Sequence, residues 1–292
     1  MRAARVTGRF PGRMRHVLVC LLLVGAGTVT GCATPVPGSQ EPVRNVAATP
    51  ARRPVQVDHF PKLRKAVHRY LAGREGRASL QVTDLRGGTT FGYREDEGYV
   101  VASVAKVDIL LARLLTGIKL SQRERRLTRR MIRFSDNIAA DALYRIVGDS
   151  TGLSAANARF GLRCTFPYQL KWGASSTCPS DQVALLKTLT ARGPIPSLSR
   201  AYALELMGSV TPSQRWGVSA AARPGDRVAL KNGWTPLRYQ GTGWAINSVG
   251  RITGHGHDFL IAVLSAEQPS MAAGIETVEH LARMTTGALR AA

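Results

Sequence analysis

Strand-like alternation of apolar and polar residues is confined to two distant stretches of this chain, and helical spacing fills the space between them. Residues 80–85 alternate, the turn Arg86-Gly87-Gly88 follows, and 89–93 returns, which is a hairpin signal. The other strand-like runs lie far downstream, at 227–231, 241–250 and 259–265. Between them, 103–115, 122–134, 135–147, 181–190 and 198–206 read as helices. Two more helices flank the whole: 60–71, where Leu63, Val67, Tyr70 and Leu71 recur at helical spacing before Gly73, and the amphipathic 271–284. Strands at both ends with a helical block between them predict an α+β domain.

The 292 residues could hold one large domain or two small ones. Residues 1–31 are expected to lie outside any fold. Arg2, Arg5, Arg9, Arg13 and Arg15 form a basic head, and 17–27 is an apolar run too short to span a bilayer comfortably. Val29-Thr30-Gly31-Cys32 then resembles a bacterial lipobox, with Val where Leu is commoner. The resemblance implies cleavage before Cys32 and its diacylation; a plain secretory signal cut nearby is the alternative. Either way the protein is expected to leave the cytoplasm, at the outer surface of a bacterial membrane or secreted. Residues 32–57 carry Pro35, Pro37, Pro42, Pro50 and Pro54 among small and polar residues and read as an extended tether. That leaves 58–292 as a single domain with a sizeable core, expected to be a monomer.

The formal net charge is +21. A basic surface favours anionic phospholipid heads or wall polymers, although Arg is also abundant throughout. The densest basic run, 123–133, lies on a predicted helix without the interleaved aromatics of a nucleic-acid platform, so no nucleic acid is expected as a partner. Of four cysteines, Cys20 falls in the leader and Cys32 is the lipid acceptor. Cys164 and Cys178 remain, and two thiols in an oxidising compartment usually pair.

Three short strings carry the chemistry: Ser103-Val104-Ala105-Lys106, Ser135-Asp136-Asn137 and Lys231-Asn232-Gly233. Ser103 follows the apolar run 99–102 and stands at a helix start, where the helix dipole stabilises negative charge developing on its oxygen. Lys106, three residues on, shares that helical face. Desolvation or a second amine nearby lowers a lysine's pKa until it serves as a base. Ser135 sets a second hydroxyl beside an amide, ahead of a helix bearing Ile138, Leu143 and Ile146; taken alone, Ser103 or Ser135 would read as an N-cap. Lys231 ends the strand Val228-Ala229-Leu230, and Gly233 lets a substrate backbone approach the strand edge.

In this order the strings resemble S-x-x-K, S-D-N and K-T-G of the penicillin-recognising serine hydrolases, and class A serine β-lactamases above all. The chain is similar to a divergent lipoprotein member of that family. The resemblance implies an antiparallel sheet built from both chain ends with flanking helices, beside an all-helical lobe, with the site in the cleft. It implies that Ser103 is the nucleophile, that Lys106 and Ser135 move its proton, and that Asn137 bonds the substrate's amide side chain. Asp136 would be structural. Lys231 would hold the substrate carboxylate, helped by Asn232 in place of the family's hydroxyl. The N–H groups of Ser103 and Trp234 would form the oxyanion hole.

The pattern also departs from the family. Class A enzymes carry a loop glutamate that activates the deacylating water, yet no Asp or Glu occurs between Asp149 and Asp181. The corresponding loop offers Gln169, Lys171 and Trp172, and an amide can position a water without taking its proton. The spacing from Ser103 to Ser135 is short for the family, which implies a more open cleft. His255-Gly256-His257-Asp258 reads as a polar hairpin turn rather than a metal site, so neither metal nor cofactor is expected. Together these features predict an exported serine hydrolase that forms an acyl-enzyme with a β-lactam and hydrolyses it slowly. A D-alanyl-D-alanine-type cell-wall peptidase and a non-turnover penicillin-binding sensor are the alternatives.

Overall fold

The computed structural model describes residues 59–238, 241–254 and 256–291. The leader, the lipobox Cys32, Cys20 and the tether lie outside the described residues. Helix α1 (Pro61–Ala72) starts with proline at a position where the missing N–H costs nothing. It leads into β1 (Arg77–Asp84) and β2 (Thr89–Tyr93), the expected hairpin. The two-residue strand β3 (Tyr99–Val100) precedes a 3₁₀ turn at Ala102–Val104, which feeds α2 (Ala105–Leu115). Helices α3 (Gln122–Arg133), α4 (Asn137–Ile146) and α5 (Asp149–Arg159) follow. Strand β4 (Ser176–Thr177) pairs with β3, and α6 (Pro179–Lys187) and α7 (Ser197–Gly208) complete the helical block. Strands β5 (Arg227–Pro236), β6 (Trp244–Gly254) and β7 (His257–Gln268) and helix α8 (Met271–Arg290) end the chain.

The sheet runs β2-β1-β7-β6-β5, every pairing antiparallel, so strands from both ends share it as the family resemblance implied. Central strand β7 is buried on both faces, which is why its sequence is a continuous apolar run rather than an alternating one. Leu260, Ala262 and Leu264 face the helical lobe; Phe259, Ile261 and Val263 face α1 and α8. Among the described residues no helix is long and apolar enough to cross a membrane.

Helix α2 is the axle of the helical lobe, and all of its residues are buried. A helix that is apolar all round belongs in a core, so its three charged side chains need partners. Arg113 is paired with Glu124, whose carboxylate also closes the capping box of α3 with Ser121. Asp108 is less well provided for: one carboxyl oxygen has no partner, and burial pushes its pKa up to about 8. Since the folded state then holds this proton more tightly than the unfolded chain, the Asp108 contribution is complete below about pH 4 and is lost as pH rises towards 8. Asp108→Asn should therefore flatten the fall in denaturant midpoint between those limits. An unchanged slope in the variant counts against a buried protonated carboxyl.

Candidate active site

The nucleophile candidate sits on a clamped turn. Val101 N–H donates to Ser175 O at 2.9 Å. From β6, Asn247 Nδ2 donates to Val100 O at 2.8 Å and Val101 O at 3.2 Å. Ala102, just before Ser103, has φ of +48°, and Ser135 has φ of +56°. Left-handed backbone costs a non-glycine residue about 1–2 kcal/mol, and here it sits beside both hydroxyls. Ser135 is therefore not a helix cap. Asp136 caps α4, accepting from Ala139 N–H at 2.9 Å and pairing with Arg130, which is the structural part expected of it.

Lys106 Nζ gathers the first two strings. It lies 2.9 Å from Ser103 Oγ, 3.0 Å from Ser135 Oγ, 2.6 Å from Ser135 O and 2.7 Å from Asn137 Oδ1. Both carbonyl oxygens can only accept, so they take two N–H bonds. A neutral amine then has its lone pair left for a hydroxyl proton. Lys106 is 0% exposed, and burial lowers its pKa to about 8 against the opposing pull of Asp136 and Asp141. Lys231 Nζ approaches the same Ser135 Oγ at 3.0 Å and donates to Asn232 O at 2.6 Å. It is 1% exposed, and desolvation, then the Lys106 charge, holds its pKa well below the usual value. Hydroxyl, amine, hydroxyl and amine thus form one continuous chain of hydrogen-bond contacts, able to pass a proton from end to end.

Lys231 does not end its strand: β5 runs on to Pro236, paired with β6 throughout. The edge strand presses on the Ser103 turn, so a Cβ at Gly233 would stand 2.8 Å from both Ser103 N and Val104 N. Only glycine fits there. Trp234, half-buried, meets Trp216 edge to face beside it.

Asn232 requires a correction. Its side chain is 0% exposed and donates to Gln214 O at 2.8 Å and Trp216 O at 3.0 Å, while accepting from Ser248 Oγ at 2.6 Å. Alternation along the strand turns it away from the Lys231 side, so this amide fastens the 214–217 loop instead of reaching a substrate carboxylate. Asn232→Ala should cost about 1–3 kcal/mol of stability by stranding buried partners, read as a lowered denaturation midpoint. A midpoint equal to that of the parent would refute the fastening role.

Cys164 and Cys178 form a disulfide with Cα atoms 5.9 Å apart, closing the loop beside the site. Gln169 is exposed on that loop, and the residue that faces Lys106 is instead Trp172, its ring centroid 4.8 Å from Nζ. Its indole N–H donates to Asp141 Oδ1 at 2.7 Å. The sequence places Trp172 on this loop without a role, and it does not single out Asn247 or Asp141. Asp141 alone carried a signal, lying four residues after Asn137 and hence on the same face of α4. His257, by contrast, belongs to β7, where it is buried against Phe259 and bonded to Asp226; His255 lies outside the described residues.

A family model described as the beta-lactamase enzyme family matches residues 116–289, more than half of the chain. The chain belongs to that family. The match takes in Ser135, Asn137 and the Lys231-Asn232-Gly233 string, and the geometry above joins Ser103 and Lys106 to them. This family member is a serine hydrolase of the β-lactamase type. No curated protein matches it by sequence. Among solved structures it is similar to PBP-A, with a TM-score of 0.68 at 18% identity over 80% of this chain and 97% of that one. A class A β-lactamase from Mycobacterium abscessus gives 0.67 at 20% identity over 78% and 99%. The extended-spectrum β-lactamase TLA-1 gives 0.69 at 19% identity over 78% and 98%. At such identities the likeness establishes the fold.

Proposed function

We propose that this enzyme opens β-lactams through an acyl-enzyme on Ser103 and releases the product slowly. One observation carries the reading: Lys106 Nζ lies within 3.0 Å of both Ser103 Oγ and Ser135 Oγ. In its neutral form Lys106 takes the Ser103 proton as Oγ bonds to the lactam carbonyl carbon. When the C–N bond breaks, the leaving nitrogen takes a proton from Ser135 Oγ, which is replenished from Lys106. Lys231, on the other side of that hydroxyl, offers its N–H groups to the substrate carboxylate and lowers the energy of the transferred charge. The N–H groups of Ser103 and Trp234 receive the oxyanion; the close approach of Gly233 to the Ser103 turn supports this. Asn137, exposed at the start of α4 beside Lys106, is suited to the substrate's amide side chain.

The reading includes export and a lipid anchor at Cys32, supported by the basic head, the apolar run and the lipobox-like string of the sequence. A point mutant of PBP-A, 18% identical, has been solved as its acyl-enzyme with penicillin G. The test is intact mass after incubation with penicillin G. The full mass of the drug should add once to the parent chain and not at all to Ser103→Ala. An adduct that survives the substitution removes Ser103 from the role.

A further inference from the structure

Ser103, Ser135 and Asn137 touch the Lys106 amine, Lys231 lies beyond Ser135, and the loop side belongs to Trp172. The ring is 7% exposed and its face looks onto Nζ from 4.8 Å. Its orientation is fixed, because the edge nitrogen donates to Asp141 Oδ1 at 2.7 Å. Asp141 is anchored on α4, one turn beyond the Asn137 that touches the same amine. We infer that Asp141 is a positioning residue, whose carboxylate holds the Trp172 indole over Lys106 and closes the loop side of that amine to water.

The inference deepens the reading of Lys106 as the acylation base and rests on it. A face-on indole attracts an ammonium, while burial disfavours it and lowers the lysine's pKa to about 8. The charged groups that face it are Asp136 and Asp141 from the α4 side and Lys231 from β5. Asp136 is already committed to Arg130 and to the α4 cap. Asp141 therefore acts in two opposing directions. Its charge favours the ammonium form, while the ring it holds excludes the water that would favour the same form.

These two actions separate on substitution. Asp141→Asn removes the charge and keeps an oxygen for the indole N–H, whereas Asp141→Ala removes both. The measurement is a carbon-13 NMR titration of the lysine side chains in the full chain, with Lys106 assigned through Lys106→Arg. A residue acting by charge alone lowers Lys106 equally in both variants. A residue holding the ring lets water in only when replaced by alanine, so Lys106 should titrate about one pH unit higher in Asp141→Ala than in Asp141→Asn. In a Trp172→Phe background, which lacks the N–H, the two variants should coincide. Equal values in the parent background overturn the inference, as does a gap that persists with Phe at 172. Penicillin plays no part in this titration, so a chain that forms no adduct would defeat the acyl-enzyme reading while the shield is still judged on its own result.

Discussion

Lys106→Ala should slow acylation of Ser103 by roughly 10²–10⁴-fold, the usual loss when a positioned general base is removed, or about 3–5 kcal/mol of barrier. The parent's pH profile should carry the same signature. Only the neutral amine takes a proton, and burial sets the lysine's pKa at about 8. The acylation rate should therefore climb about tenfold per pH unit below that value and level off above it. Removing the amine should abolish that limb along with most of the rate. Stopped-flow acylation by a chromogenic cephalosporin, followed across pH, reads both effects. A steep limb near pH 8 that survives in Lys106→Ala would assign the base to another group.

The second large effect concerns release of the product. In the proposed mechanism acylation has its hydroxyls and amines in contact, but an ester on Ser103 would then have to be attacked by water that gives up a proton. In the family that proton goes to a loop carboxylate. Here the loop group that lies against Lys106 is the face of the Trp172 ring. Asp141, the carboxylate next along, is engaged by the indole nitrogen. Without that base the step should run about 10²–10⁴-fold slower than in an enzyme that has one. Product formation should show a burst equal to the enzyme concentration and then a slow steady phase, with the adduct persisting by mass through that phase. Burst-free hydrolysis at a constant rate would mean that Lys106 or Ser135 serves both halves of the reaction. An adduct with no decay at all would favour the sensor.

Much of this was legible in the sequence because the informative residues act locally. Periodicity marked α1, α3, α7 and the β1–β2 hairpin, and the three strings marked Ser103, Lys106, Ser135 and Lys231. The misreadings have physical causes. The apolar run of β5 stops at Leu230, so the sequence alone ends the strand at Lys231, but pairing with β6 carries it on to Pro236. Helix α5 went unseen because its buried side chains are few and mostly small, with Leu153 the largest aliphatic. The two-residue strands β3 and β4 are too short to show alternation. Asn232 looked like a substrate ligand by position in its string, and only the 214–217 loop folded behind it shows where the amide goes. Trp172 and Asp141 stand 31 residues apart in sequence, one on an irregular loop, and no local pattern links such a pair.

The strand order also dictates when the enzyme can come into being. β1 is among the first strands to emerge from a ribosome, yet its second neighbour is β7, with Arg77 opposite Ala266 and Asp84 opposite Phe259. Until those last residues arrive, β1 and β2 form a lone hairpin, which is at best marginal in water. Lys231 is likewise held against Ser135 only by a strand that needs β6, and β6 needs β7. Closing so long a loop before any contact rewards it makes assembly slow. The chain of hydroxyls and amines is therefore among the last things to form. A growing or clipped polypeptide that stops short of residue 257 has all four of these groups and no active site.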